Sequence, residues 1–354
     1  MKNVATWLRS RTEIIFIPLA FLTLYYLSSQ NIFNAYFMQV LMLAGINVIV
    51  TQSLNILNGM TGLSSLGHAG FMAVGAYSAA FITTILFKGV AMPQVAQITI
   101  FLIASILAGF VAALCGLIIG FPTLRLRGDY LAIVTLGFCE VIRALMRLIR
   151  ITGGSIGLTG IAKHTTLFWV FLFLMLAIYA CRNFMDSSFG RACMAIRENE
   201  IAASTIGINI SRYKVIAFAT SAFIAGVAGS LYAHLIRYLH PDVFGYAKSA
   251  DFLVYLYAGG VGSISGSLLG AVILTVLPEM LRFMSKWRLV IYGALLLFII
   301  LFRQKGMFGG REFAFLKLKT GGIQVFGMKT IKNLFRSKSA STDVGAALEG
   351  GDDK

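Results

Sequence analysis

Long apolar segments follow one another along most of this 354-residue chain. Seven of them are long enough to cross a bilayer, which takes about 20 apolar residues. They lie at 12–29, 36–57, 68–87, 95–120, 130–149, 165–181 and 213–236. A glycine-broken region at 251–281 and a last segment near 288–303 follow. Charged residues make up only 12% of the chain, against about 25% in soluble domains. The sequence therefore predicts an all-α, polytopic integral membrane protein.

The charges between the segments predict its orientation. Basic residues before the first span favour a cytoplasmic N-terminus, because basic loops stay inside. Residues 303–338 carry nine basic side chains and one acidic one, which favours a cytoplasmic C-terminus as well. Both ends lie inside if 251–262 and 265–281 cross separately. We therefore expect about ten transmembrane segments, with nine as the alternative.

A polar, basic run from Arg182 to Lys214 interrupts the apolar segments. Within it Ile196, Ile201, Thr205 and Ile208 fall at helical spacing, which predicts one short amphipathic helix that docks into a groove of a partner. The alternative is a solvated basic loop that only fixes the topology.

Two segments rich in glycine and serine, 59–70 and 259–270, stand inside apolar sequence. Non-helical backbone at membrane depth survives only where it is buried in protein or lines a watery cavity. Interrupted apolar segments are also the sequence signal for a transport path. A plain loop or close helix packing is the alternative. The candidate path residues are Gly59, Gly62, Ser64, Ser65, Gly67, Gly259, Gly260, Gly262 and Ser263.

Small residues recur at packing intervals on three predicted spans, which allows close helix contact in lipid. They are Gly70, Gly75 and Ala79; Gly109, Ala113, Gly116 and Gly120; and Ala222, Gly226 and Gly229.

On a fourth span, Glu140, Arg143 and Arg147 share a face. We expect an ion pair there, with Arg147 reaching the outer interface; contact with a companion permease or a polar path is the alternative.

Several function classes find no support in the sequence. The stretch nearest to a phosphate-binding loop, 322–330, has Met328 between its second glycine and the lysine, so ATP hydrolysis is not predicted. The four cysteines and four histidines lack the spacing of a metal site or disulfide framework. The net charge of +16 is spread over loops and a basic tail, which suits anionic lipid rather than nucleic acid. We predict no catalytic residue, metal or cofactor.

Six stretches together resemble the LivM-type permeases of ABC importers for branched-chain amino acids. They are GMTGLSSLGHAGFMAVGAY (59–77), RLRGDYLAIVTLGF (125–138) with TGGSIGLTGI (152–161), GRACMAIRENEIAASTIGINISRYKVIAFATSAFIAGVAGSLYA (190–233), GGVGSISGSLLGA (259–271) and WRLVIYGALLLFIILFRQKGMFG (287–309). The chain departs from the family pattern at Ile201, where an acid is usual before the alanine pair, and at Gln304-Lys305.

The resemblance covers roughly residues 35–310 and implies an ABC importer permease fold for a domain at 1–310, with a cytoplasmic coupling loop at 182–214. The composition at 311–354, basic and then rich in glycine, serine and acidic residues, predicts a largely disordered cytoplasmic tail. The resemblance also implies the bacterial inner membrane, a second permease, two cytoplasmic ATPases and a soluble binding protein. Leucine, isoleucine or valine is the implied substrate. Urea, amides or other amino acids are the alternative, and an autonomous secondary transporter is a more distant one. The coupling residues it implies are Gly190, Arg191, Ala195, Arg197, Glu198, Glu200, Ala202, Ala203 and Gly207.

Overall fold

The computed structural model describes residues 34–87, 93–123 and 128–284, together with 287, 290–294, 297–298 and 306–307. The chain divides into two units, Met1–Lys317 and Leu318–Lys354, and every described residue belongs to the first. The described helices are α1 (Ala35–Leu54), α2 (His68–Ala80), α3 (Gln94–Thr123), α4 (Asp129–Leu148), α5 (Leu167–Asp186), α6 (Ser188–Glu198), α7 (Glu200–Thr205), α8 (Ile210–Ile236), α9 (Tyr246–Gly259) and α10 (Ile264–Met280). Two π-helical segments, Asn55–Thr61 and Phe81–Leu86, prolong α1 and α2.

Six helical stretches in the described part are long and apolar enough to cross a membrane. They are built on α1, α2, α3, α5, α8 and α10 and correspond to six of the predicted spans. The predicted span 130–149 is α4, which carries three charged side chains inside it. The predicted span 251–262 is α9, which begins earlier, at Tyr246, and has 14 residues. The predicted span 12–29 lies outside the described residues, 288–303 lies largely outside them, and the total of about ten remains a prediction.

Helix α1 runs through the centre of the bundle. Its side chains from Asn47 to Leu54 are all buried, because α5, α8, α9 and α10 surround it. Polar side chains on α1 find partners on α10. The Asn47 amide donates to the Thr275 hydroxyl at 3.0 Å and the Gln52 amide donates to the Ile264 carbonyl at 2.7 Å. These hydrogen bonds join two apolar helices. Inside a bilayer no water is present that could bind these polar groups instead.

The predicted small-residue stripes bring α2, α8 and α3 into close contact. A Cβ at Gly75 would lie 2.6 Å from the Gly226 carbonyl carbon, and one at Gly229 would lie 2.8 Å from the Ala76 nitrogen. A Cβ at Gly116 would meet the Ala222 methyl at 2.7 Å. The packing role predicted for these glycines is confirmed.

The outer helices turn large apolar side chains away from the bundle. Phe110, Leu114 and Ile118 on α3 are largely exposed, at intervals that place them on one face. An exposed stripe of this kind would be unfavourable in water, and it suits contact with lipid.

The connections at one end of the bundle are tied together. Leu158 and Leu239 exchange two backbone hydrogen bonds of 2.9 and 3.0 Å. The predicted ion pair of Glu140 with Arg143 is present. Arg147, which we expected to reach the outer interface, is 42% exposed and pairs with Asp242. The hydrogen bond from Arg147 holds the pKa of the Asp242 carboxyl below its usual range.

Candidate functional site

The two glycine-rich segments form two hairpins whose tips meet at the other end of the bundle. The first hairpin is the π-helical segment Asn55–Thr61, the chain from 62 to 67, and the start of α2. The second is the end of α9, the chain from 260 to 263, and the start of α10. We call this end of the bundle the junction end.

The first hairpin turns where a left-handed glycine ends the helix. Gly62 has φ of 71°, a conformation that favours glycine. The Leu63 N–H then returns to the Leu57 carbonyl at 3.0 Å. Asn58 accepts a bond from the Ser65 N–H at 3.1 Å, so the non-helical chain is held by hydrogen bonds as it runs back into the bundle.

The start of α2 is fixed by a chain of polar contacts. Gly67 is buried against the Thr135 backbone on α4. The Ser221 hydroxyl donates to the Ser53 carbonyl at 2.6 Å, so its oxygen must accept from His68 Nε2, which lies 2.7 Å away. His68 therefore links α2 to α8 and α1, and the Ser65 hydroxyl lies 3.5 Å from its other ring nitrogen.

The second hairpin turns through two glycines with positive φ, Gly260 at 125° and Gly262 at 80°. Ser263 then caps α10 by accepting from the Gly266 N–H at 3.0 Å. Gly259 packs against Gly266 so closely that a Cβ on it would lie 2.6 Å from the Gly266 carbonyl carbon. The second hairpin therefore turns tightly, with its glycine backbones in close contact.

Asn55 joins the two tips. Its Oδ1 accepts from the Gly262 N–H at 2.9 Å and its amide nitrogen donates to the Ser263 carbonyl at 3.3 Å. Gly59 lies directly beside this contact, and a Cβ there would be 2.7 Å from the Gly262 nitrogen. Gly59, Gly262 and Ser263, from two segments about 200 positions apart in the sequence, therefore meet, whereas Gly67 packs against α4.

The polar run between α5 and α8 folds as two short helices rather than the single amphipathic helix predicted. Ser187 caps α6 by accepting from the Gly190 N–H, and Asn199 caps α7 by accepting from the Ala202 N–H. The cap at Asn199 breaks the predicted apolar stripe. Ile196 is buried, whereas Ile201 is 68% exposed. The flanking helices extend into the run, and the part of it outside α5 and α8 is 187–209.

The predicted coupling residues fall into two groups by exposure. Gly190 and Ala203 are buried and Ala195 and Glu200 partly buried; Arg191, Arg197, Glu198, Ala202 and Gly207 are exposed. Gly207 has φ of 85° with open space around it. It ends α7 with bonds from the Gly207 and Ile208 N–H groups to the Ser204 and Ala203 carbonyls.

A buried ion pair fixes α7 to the bundle. Lys214 Nζ, on a side chain only 4% exposed, lies 2.8 Å from Glu200 Oε1, on a side chain 27% exposed. Near the hairpins, Arg197 reaches from the end of α6 and donates to the Gly59 carbonyl at 2.7 Å. The two helices of the run therefore contact the first hairpin as well as α8.

Asn55, Thr61 and Lys214 complete this cluster, although we did not predict them as site residues. A signal was present in the sequence, because an apolar span seldom carries several buried amides. Asn47, Gln52, Asn55 and Asn58 lie along α1 and its π-helical end, and polar residues inside spans mark functional positions.

Burial makes the thiol beside this cluster unreactive. Cys193 on α6 is buried against Thr61, which raises the pKa of its thiol to about 11. Because the thiolate is the reacting form, we expect alkylation of Cys193 at neutral pH to be about 100-fold slower than for an ordinary thiol. Iodoacetamide labelling of a variant with Cys115, Cys139 and Cys181 changed to alanine would measure this rate. The same variant in denaturant is the control; equal rates in both would contradict the burial.

Comparisons with known proteins give the family. Residues 36–300 match the family model described as the branched-chain amino acid transport system permease component. The high-affinity branched-chain amino acid transport system permease protein LivM of Salmonella typhimurium is 35% identical over 312 residues, covering 78% of this chain and 70% of that protein. LivM of Escherichia coli strain K12 is 34% identical over 315 residues, covering 79% and 71%.

A second type of permease is also similar. The high-affinity branched-chain amino acid transport system permease protein LivH of Salmonella typhimurium is 31% identical over 147 residues, covering 41% of this chain and 47% of that protein. No solved structure matches this chain.

Proposed function

Because the chain belongs to the branched-chain amino acid transport permease family, we propose that it forms one half of the membrane channel of an ABC importer. In this proposal separate ATPase subunits dock on α7 at the junction end, and the paired hairpins lie on the transport path. The permease role itself follows from the family.

The observation that carries the docking proposal is the exposed apolar surface formed by α7 and Ile206, the residue that follows it. Ile201 is 68% exposed and Ile206 is 74% exposed, at an end of the bundle where the neighbouring loops are polar. Exposed apolar side chains rimmed by polar ones mark sites of protein contact. The Lys214–Glu200 ion pair and the buried Ala203 side chain attach α7 to the rest of the bundle. A helix that transmits motion to the spans must be attached in this way.

The polar cluster at the hairpin tips supports a role in the path. Asn55, Asn58 and Ser65 bring hydrogen-bonding groups into apolar helices, where they are costly unless function requires them. Contact between the tips and the docking loop would let ATPase motion reach the path directly.

The chain direction supports the predicted topology. Helix α10 leads away from the junction end, yet the Met307 N–H bonds to the Ala258 carbonyl at 2.7 Å. The chain thus returns to the junction end by residue 307, as a further crossing requires. We propose that this end is cytoplasmic, in a bacterial inner membrane, with about ten crossings and both termini inside. The predicted tail 311–354 lies outside the described residues.

We propose branched-chain amino acids as the substrate, since the similar LivM and LivH proteins are named for that transport. A second, similar permease and a soluble binding protein would complete the importer. Urea, amides or other amino acids are the alternative substrates. Competition against leucine uptake by the reconstituted importer distinguishes them.

Crosslinking tests the docking. We expect Thr205→Cys, on exposed α7, to form a crosslink with an ATPase subunit of the assembled importer when a short bifunctional thiol reagent is added. Ile156→Cys is the matched control, because it is 80% exposed at the opposite end and should not react. A missing crosslink at position 205 would contradict docking on α7, and saturable ATP-independent leucine uptake by this chain alone would contradict the importer.

A further inference from the structure

Arg197 touches both hairpin tips at once. Its Nη1 donates to the Gly59 carbonyl at 2.7 Å. The methylene part of the side chain lies on Gly62, where a Cβ would be 2.7 Å from Arg197 Cγ. On the second hairpin, a Cβ at Gly262 would lie 3.3 Å from Arg197 Nη1. The guanidinium therefore covers the place where the tips meet.

The bond to Gly59 joins complementary charges. Gly59 stands in the last turn of the π-helical segment, where backbone carbonyls lack helical partners and carry partial negative charge. A cationic donor forms a stronger bond with such a carbonyl than a neutral donor does. Asn55 bonds the second tip at Gly262 and Ser263, and Arg197 bonds the first tip at Gly59 and lies beside Gly262.

The surroundings of Arg197 allow this contact to open. Its other donors lie on Glu198, with Nη2 2.7 Å from Oε1, so the side chain has a second partner when it leaves Gly59. A cleft of about 210 Å³ lies beside it, lined by Thr61, Leu63 and Lys214 among others. The helix break at Asn199 separates Arg197 from α7, which gives a place where the docking loop can bend.

We propose that Arg197 is a positioning residue that latches the two hairpin tips and closes the transport path at the junction end. Movement of α6 and α7 withdraws the guanidinium from Gly59, and the tips then separate. This inference rests on the proposed docking of α7, and it assigns the step between that docking and the opening of the path.

The test uses the assembled importer and a cysteine reporter at Ser263, which is 3% exposed. With Arg197 present and no nucleotide, Ser263→Cys should resist a water-soluble thiol reagent. With Arg197→Ala we expect modification to become about tenfold faster or more, since a hydrogen bond to a charged group is lost. Amino acid uptake per ATP hydrolysed should fall, while the crosslink at position 205 persists. Arg197→Lys should recover part of the protection, because an ammonium can still donate to a carbonyl.

Arg212→Ala is the matched control, because it removes the same charge from an exposed position at the same end and should leave Ser263→Cys protected. Unchanged protection in Arg197→Ala would overturn the latch. It would also be overturned if Arg212→Ala exposed the reporter equally, or if Arg197→Ala abolished the crosslink at position 205. Failure of the docking proposal would give a different result, namely that the crosslink at position 205 is missing even when Arg197 is intact.

Discussion

Gly75→Leu is expected to prevent assembly of the folded bundle. Helices α2 and α8 cross there with backbone against backbone, and even a Cβ at Gly75 would lie 2.6 Å from the Gly226 carbonyl carbon. Adding carbons to a well-packed core typically costs about 1–3 kcal/mol. The cost here should be at the upper end or beyond, because neither backbone can move aside as a side chain can. Size-exclusion of detergent-extracted protein should show loss of the single folded peak.

Gly137→Leu provides the comparison for that variant. Gly137 is also helical, but it is exposed and a Cβ on it would meet no atom within 4 Å. It should extract and elute as the unchanged protein does. A folded, monodisperse Gly75→Leu protein would contradict the close crossing of α2 and α8.

Glu200→Gln is expected to loosen α7 by about 2 kcal/mol. Breaking a fully buried ion pair costs about 3–5 kcal/mol because the remaining charge is left without a partner. The expected cost of about 2 kcal/mol lies below that range, because the Glu200 side chain is 27% exposed. The Lys214 side chain is only 4% exposed. Hydrogen exchange at the α7 amides should quicken about 30-fold, the factor that corresponds to this free energy.

The double variant Glu200→Gln with Lys214→Met separates the pair from other effects. Methionine removes the buried charge and keeps much of the side-chain volume, so the double variant should exchange more slowly than Glu200→Gln alone. If both variants exchange at the same rate, the unpaired lysine is not the cause of the loosening. Exchange in the buried part of α1 should be equal in every variant.

The sequence predicted the spans and their packing well. Long apolar runs and small residues at four-residue intervals depend on local periodicity, which a sequence displays directly. The contacts of Gly75 with Gly226 and of Gly116 with Ala222 are made by the small residues of these stripes, although which helices pair was not predicted. The ion pair of Glu140 with Arg143 is also local, at three residues on one helix.

The break between α6 and α7 and the meeting of the hairpins could not be read in this way. The predicted apolar stripe runs from Ile196 to Ile201 across Asn199, whose side chain accepts from the Ala202 N–H and caps α7, so the helix does not continue there. The Arg197–Gly59 bond joins residues 138 positions apart, and the Asn55–Gly262 bond joins residues 207 apart. Such contacts depend on how the whole bundle folds, and the periodicity of apolar residues along the sequence does not predict them.

The amides of α1 have a consequence for synthesis of the protein in the cell. This stretch is apolar enough to enter a membrane, with a mean hydropathy of 1.8, but the partner of Gln52 is 212 residues further along the chain. At about 5–20 residues per second, a ribosome needs about 10–40 s to make that length. An unsatisfied polar group in hydrocarbon costs several kcal/mol. Helix α1 should therefore remain beside the insertion machinery until α10 emerges. The order in which the helices enter the lipid would then differ from the order in which they are synthesised.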